Sequence, residues 1–385
     1  MMGMGVYYHP MSPPPLLPAT VKGRAAISNR SGRYEPVVKE WVDDGWQQNA
    51  ASVGGEHRAV TQLETTLTVD RARRAITRNT SPDIGFDRSI NPYRGCEHGC
   101  IYCFARPTHA YWGLSAGLDF ETQLFYKPGL PGLLDRELRA KRYTPATLAL
   151  GANTDPYQPV ERTLGLTRSI LEVLQAFNHP VGIVTKSALV TRDLDVLGAM
   201  AQLDQVMVCV SVTTLDPKLA RALEPRAPTP ERRLQTIRRL SDAGIPVAIL
   251  ASPLIPGLTD HEVDAILSAG KDAGARSANT ILLRVPLEIA GLVEEWLHRH
   301  VPHRADRVLS LLRQCHGGEL YDSTFGTRMR GQGPYAELMR QRFSKACARL
   351  GLATRSWVLD SSRFAAPPQT GGQQSGDQID LFSQP

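Results

Sequence analysis

Asn91-Pro92-Tyr93-Arg94-Gly95-Cys96-Glu97-His98-Gly99-Cys100-Ile101-Tyr102-Cys103-Phe104 is the stretch from which the fold is read. Its three cysteines stand at C-x3-C-x2-C spacing. An ordinary [4Fe–4S] centre takes four thiolates, so three from one loop leave one iron open to a small molecule. A structural zinc ion takes four ligands, usually from two paired knuckles. The other cysteines, Cys209, Cys315 and Cys347, are scattered singly, and His98 is the residue inside the loop that can complete a compact zinc site. A disulfide needs an oxidising compartment. The N-terminal run has no basic start followed by an apolar core, which argues against a secretory signal.

Outward from this loop, the 385 residues are 42% hydrophobic and 21% charged, as in soluble globular proteins. No run of about 18 apolar residues predicts a membrane span, and an oxygen-sensitive cluster fits a reducing cytoplasm. The net charge is +6, carried almost wholly by arginine. Arginine forks match phosphate, so a nucleic-acid partner is allowed; a solvated basic surface gives the same count.

Residues 1–60 are rich in proline, glycine and polar residues and predict a disordered N-terminal region. From about 90 to 290, short apolar strands alternate with helical segments. The strands are expected at 89–93, 147–151, 181–185, 206–212, 247–252 and 280–285. The helices are expected at 130–141, 164–176, 191–203, 230–243 and 260–273. Strands separated by helices imply βαβ units around a parallel sheet, an α/β fold. Gly244 reads as a helix C-cap, and Thr259 with Glu262 as a capping box. Residues 61–290 thus form the core, 291–362 a helical extension and 363–385 a flexible tail.

The cysteine loop, with Tyr102 just before its last cysteine, resembles the cluster loop of the radical S-adenosylmethionine (SAM) enzymes. The resemblance implies that Cys96, Cys100 and Cys103 ligate three irons of a [4Fe–4S] cluster. It implies that SAM chelates the fourth iron, and that an electron from the cluster splits SAM into methionine and a 5′-deoxyadenosyl radical. It further implies a reductant such as flavodoxin or ferredoxin. The six strand–helix units match the partial (β/α)6, TIM-like barrel of that family. In such barrels the active site lies at the C-terminal ends of the strands, and the cysteine loop falls after the first.

The second strand runs into Gly151-Ala152-Asn153-Thr154-Asp155-Pro156-Tyr157, where the family often carries a Gly-Gly-Glu-like turn for the SAM amino group. This chain departs from that turn. It resembles instead the Asn-Thr-Asp-Pro-Tyr stretch of proteins related to spore photoproduct lyase, a DNA-repair branch. Gly151, Asn153 and Asp155 can supply acceptors for an ammonium group, or the Asn and Asp only cap the next helix. Lys186, ending the third strand, pairs with the SAM carboxylate or snorkels at the rim. Ser211 and Thr213, ending the fourth, resemble the hydroxyls that contact ribose and carboxylate. Arg226 holds the carboxylate bidentately or pairs with Glu224 in a surface turn. Tyr102 flanks the adenine or shields the cluster. The apolar 247–258 stretch resembles the strand and turn that pack on adenine, and reads equally as a core strand.

Spore photoproduct lyase proper uses a cysteine near its second strand as hydrogen donor, and this chain has none there. Cys209, on the fourth strand, reads chiefly as core packing. Tyr157 is the other candidate for hydrogen transfer, unless the hydrogen returns from 5′-deoxyadenosine. The tail Gln378-Ile379-Asp380-Leu381-Phe382 resembles the peptide by which bacterial polymerases and repair proteins dock on the sliding clamp, two large apolar residues on a polar tether. It also reads as a frayed tail folding back on the core. The 321–335 segment mixes arginines, glycines and aromatics; it can hold phosphates and stack a base, or close the barrel rim. The expected activity is that of a cytoplasmic radical SAM enzyme acting on DNA or a nucleotide. The alternatives are one acting on RNA, a peptide or a small metabolite, and a non-catalytic, metal-containing nucleic-acid or clamp-associated protein.

Overall fold

The computed structural model describes residues 21–35, 63–354 and 359–368. Its strands, in chain order, are β1 (Thr66–Val69), β2 (Thr77–Arg78), β3 (Arg88–Ile90), β4 (Tyr93–Arg94), β5 (Gln123–Tyr126), β6 (Leu148–Leu150), β7 (Val181–Thr185), β8 (Val206–Ser211), β9 (Val247–Leu250) and β10 (Ser277–Asn279). The main sheet has the order β10-β9-β8-β7-β6-β3-β2, parallel throughout except for the edge strand β2. A small second sheet has the order β1-β5-β4. Helices Leu130–Leu138, Leu166–Ala176, Leu194–Ala201, Pro230–Asp242 and Val263–Asp272 return the chain between successive parallel strands. This is the α/β architecture expected from the alternation of strands and helices: a partial (β/α)6 barrel.

The two-residue strand period divides the barrel wall into two faces. Val206, Val208, Val210 and Val212 join Val181, Ile183, Leu148, Leu150, Val247 and Ile249 in one core with the crossover helices. The intervening positions are mostly small and line the inner face: Ser89, Ala149, Gly182 and Met207 in one register row, Val184, Cys209 and Ala248 in the next. Cys209 therefore stands on the inner face, buried but outside the cluster that packs against the crossover helices. The second core joins Ile101, Tyr102 and Leu118 near the cysteine loop to Trp296, Leu297, Leu309 and Leu312 of helices Glu288–His300 and Pro302–Cys315.

Several sequence expectations are corrected. The sixth strand lies at Ser277–Asn279, with Leu282 making only an isolated bridge to Leu254; its Ser-Ala-Asn sequence has no apolar signature, and its register is fixed by pairing with Ala248. The capping box does not form. Thr259 Oγ1 accepts from Ile255 N, and Glu262 reaches across to Thr214 Oγ1 and Leu215 N. Residues 21–35, assigned to a disordered region, pack on the core. Ala25 and Ala26 N–H groups donate to Glu121, and Val21, Ala25 and Ala26 are buried. At the other end Phe364 packs among Tyr143, Phe177 and His179, and Arg139 donates to Pro367 O, so the described part of the tail lies on the core.

The open side of the barrel, between β10 and β2, is spanned by the loop that precedes helix Gly333–Leu350. Leu282 N donates to Met329 O on one side. On the other, Asp83, in the loop joining β2 to β3, takes Gly326 N at 2.7 Å and Arg328 Nε at 2.5 Å, and Arg328 Nη2 reaches Ser81 Oγ at 2.6 Å. The segment thus closes the barrel rim, one of its two readings from the sequence. Among the described residues no helix is long and apolar enough to cross a membrane.

Candidate active site: a cysteine loop held by four strand ends

The chain leaves β3, pairs briefly with β5 through β4, and turns into the loop at Gly95 and Gly99. These have φ of +73° and +65°, where L side chains are strained. At Gly99 there is also no room, because a Cβ would sit 2.7 Å from Glu121 Oε2. Behind the loop lies Arg106, fully buried. Its guanidinium donates to Cys100 O at 2.8 Å, Gly99 O at 2.9 Å, Ala116 O at 2.9 Å and Gly117 O at 3.0 Å, and pairs with Glu121 at 2.6 Å. All five N–H donors of the fork find acceptors. Gln158 stitches the front, accepting from Glu97 N and donating to Gly95 O.

The ends of the next three parallel strands reach the loop. After β6, Asp155 is largely covered, its side chain 10% exposed. Its carboxylate accepts from Thr185 Oγ1 (2.7 Å), Lys186 N (2.7 Å) and Tyr157 N (2.9 Å), and faces His98 Nδ1 at 3.3 Å. Burial alone would raise this carboxyl, but His98 and the donors outweigh it and hold the pKa at about 2. Four partners occupy the lone-pair directions of the carboxylate. After β7, the Lys186 ammonium lies 5.7 Å from the Tyr102 ring centroid. After β8, Thr213 Oγ1 donates to Glu224 at 2.7 Å and lies 3.0 Å from Tyr102 Oη; Glu224 also accepts from Tyr102 Oη and Arg233. Arg226 pairs with Glu97 at 3.0 Å, not with Glu224. Ile101 N donates to Leu223 O at 3.0 Å, docking this turn on the loop.

Cys96 and Cys100 are buried and Cys103 is partly exposed. Burial raises all three thiols; Lys186 opposes this at Cys100 and Cys103, and Arg106 at Cys103. Metal binding requires the thiolate, and these cations are placed to offset that charge. Among the described residues no three His, Cys, Asp or Glu side chains converge as the ligands of a single ion do. His98 faces Asp155 and does not complete a zinc set. A cluster gives each thiolate its own iron, and this donor set fits one.

The structure thus brings Tyr102, Lys186, Thr213 and Arg226 to the cysteine loop, with Asp155 as an internal hub. Gly151, φ +88°, has no room for a Cβ, which would meet Val184 O at 2.3 Å. Asn153 N donates to Asn91. Ser211, buried at the end of β8, accepts from Arg233 at its carbonyl. Tyr157 is fully buried and its hydroxyl donates to Asp193 at 3.0 Å, so the structure withdraws it from solvent. Burial pushes the Cys209 thiol up to about 12, keeping it protonated. Sequence reasoning missed Arg106, Glu121, Gln158, Glu224 and Arg233 as supports. Arg106, three residues past Cys103, was the nearest signal. The Gln378, Leu381 and Phe382 peptide lies outside the described residues. A cleft of about 540 Å³ is lined by Asn79, Phe86 and Thr147, at the N-terminal ends of the strands and away from the cysteines.

A family model described as the radical SAM superfamily matches residues 90–269. An uncharacterized protein of Mycobacterium tuberculosis is 35% identical over 299 residues, covering 77% of this chain and 82% of its own length. An uncharacterized protein of Methanocaldococcus jannaschii is 30% identical over 179 residues, covering 45% and 62%. Among solved structures, spore photoproduct lyase complexed with dinucleoside spore photoproduct superposes with a TM-score of 0.54 at 13% identity, covering 74% of this chain and 80% of that one.

Proposed function

The chain belongs to the radical SAM superfamily, whose enzymes use a [4Fe–4S] cluster and SAM, and on that premise we propose that Cys96, Cys100 and Cys103 hold the cluster and that the substrate is DNA or a nucleotide. When bound, the cluster supplies the electron that cleaves SAM to methionine and a 5′-deoxyadenosyl radical. The observation that carries this reading is the convergence of strand ends on one loop: Asp155 on His98, Lys186 over Tyr102, Glu224 on Tyr102.

The side chains divide into contacts and supports. The Lys186 ammonium has no carboxylate partner among the described residues and is the group we assign to the SAM carboxylate. Asn153, Ser211 and the carbonyl of Gly151 are left for the amino group and ribose. Asp155, Thr213 and Arg226 are already engaged within the protein. We assign them to positioning: Asp155 aims the loop and the Lys186 turn, Thr213 and Glu224 fix Tyr102, and Arg226 holds Glu97. Cys209, protonated and on the inner face, is our candidate hydrogen donor in place of Tyr157.

DNA is favoured by the likeness of Asn153–Tyr157 to the stretch of the spore photoproduct lyase-related group, by the arginine-rich charge and by the clamp-like tail. The setting we propose is the cytoplasm, with a small electron-transfer protein such as flavodoxin or ferredoxin as reductant. The test is the yield of 5′-deoxyadenosine from reconstituted, reduced enzyme with and without DNA. A DNA-dependent rise supports the reading. A yield indifferent to DNA sends the search to RNA, peptides or metabolites.

A further inference from the structure

Five large aromatics are exposed among the described residues: Tyr34, Phe104, Tyr111, Trp112 and Phe325. Every one carries an arginine over its ring: Arg33 over Tyr34 and Tyr111, Arg94 over Trp112, Arg284 over Phe104 and Arg328 over Phe325. Ring faces paired with guanidinium groups are what an unpaired nucleic-acid strand uses, bases on the rings and phosphates on the cations.

Two of these stacks lie along one path from the cysteine loop. Phe104 directly follows Cys103. Arg284, past the sixth strand, lies 5.7 Å from the Phe104 ring centroid and 5.8 Å from that of Tyr321. Its Nε is buried and finds no acceptor among the described residues, and its Nη2 reaches Tyr321 Oη only at 3.4 Å. A buried charged donor without an acceptor is costly unless something else supplies one. Tyr321 begins the closing loop, which leads on to Phe325, 57% exposed. Beside Phe325 a cleft of about 360 Å³ is lined by Pro82, Met329 and Arg330 among others. Arg328 is spent on Asp83 and Ser81 and stiffens the loop. Arg330 is exposed and makes no ion pair among the described residues.

We propose that Phe104, Arg284, Tyr321, Phe325 and Arg330 form a path for a single DNA strand leading to the barrel mouth, with bases stacked on Phe104 and Phe325 and phosphates held by Arg284 and Arg330. This rests on the reading of DNA as substrate. It adds that the strand is presented unpaired and that barrel closure and strand binding share one loop.

The experiment titrates cluster-loaded enzyme into a labelled single-stranded oligodeoxynucleotide, read by fluorescence anisotropy. Phe325→Ala is expected to weaken binding roughly 5- to 100-fold. Arg330→Ala is expected to reduce the slope of log affinity against log salt by about one. Arg284→Lys, which keeps the charge and loses the fork, is expected to weaken DNA binding and leave SAM binding as it is. Leu338→Ala, exposed on helix Gly333–Leu350 outside the path, is the control. If wild type binds DNA and the Phe325 and Arg330 variants bind equally well, the path is overturned and the substrate reading stands. If Arg284→Lys loses SAM in place of DNA, Arg284 belongs to the cofactor and the path is overturned. Tighter binding of the matching oligoribonucleotide overturns the choice of DNA. Wild type that binds no oligonucleotide but forms 5′-deoxyadenosine overturns both the path and the substrate reading.

Discussion

Arg106 and Glu121 form an ion pair at 2.6 Å behind the cysteine loop, neither side chain exposed. The pair does more than neutralise two charges. The same guanidinium takes the carbonyls of Gly99 and Cys100, and the same carboxylate takes the N–H groups of Ala25 and Ala26. One interaction therefore ties the loop, the turn at Ala116 and the N-terminal segment together. Removing one partner leaves a buried charge unpaired, at a cost of about 3–5 kcal/mol. Arg106→Ala and Glu121→Gln are both expected to lower the unfolding free energy measured in urea by that order, with a lower midpoint, and to bind less iron on reconstitution. A variant with unchanged midpoint and iron content would show that the loop is held by other means.

Lys186 and Arg226 are both candidates for the SAM carboxylate, and they differ in their partners within the protein. Arg226 is engaged with Glu97, whereas Lys186 has no carboxylate partner among the described residues. Lys186→Met is expected to weaken SAM binding about 10- to 100-fold, the worth of a charge-assisted hydrogen bond. Arg226→Ala is expected to have the smaller effect. Equilibrium dialysis of SAM on reconstituted protein measures both, and the reverse order would contradict the assignment.

His179 gives a pH dependence that is independent of the cluster. It is buried between Tyr143 Oη at 2.7 Å and Pro180 O at 3.0 Å. The carbonyl can only accept, so Nδ1 carries the proton and Nε2 accepts. Burial lowers the pKa from 6.5 to about 4. Below pH 6.5 the unfolded chain takes up a proton that the folded chain refuses, so stability falls as pH drops from about 6.5 to about 4. The total is roughly 3 kcal/mol. Urea denaturation across this range is expected to show the slope in wild type and to lose most of it in His179→Gln. An identical slope in the variant would assign it to other groups.

For the clamp-like tail, the double substitution Leu381→Ala with Phe382→Ala is expected to abolish binding to a bacterial sliding clamp in a pull-down or by calorimetry. Retained binding would remove this support for a role on DNA.

Much of this was legible because the relevant physics is local. C-x3-C-x2-C is a ligand spacing within one loop, and the strand–helix alternation from 90 to 290 is a periodic signal. The supports were not legible, because they are long-range pairings between residues whose types are individually unremarkable. Glu224 stands two residues from Arg226 and looked like its partner, yet folds inward to Arg233. Asp155 looked like a ligand because it carries a free carboxylate in sequence; only the approach of Thr185, Lys186 and His98 shows its valence filled. The order of residues 21–35 depends on Glu121, 95 positions beyond Ala26. No composition rule anticipates such a contact. Ser277–Asn279 forms a strand because Ala248 is there to pair with, not because its own side chains favour one.

The most direct measurement is anaerobic reconstitution of wild type and Cys100→Ala with iron and sulfide, followed by reduction in the presence of SAM. Iron is counted and 5′-deoxyadenosine assayed in both. The expected result is a [4Fe–4S] chromophore and product in wild type, with both lost in a variant that remains folded. A folded wild type that takes up no iron–sulfur cluster and forms no 5′-deoxyadenosine would contradict the central claim.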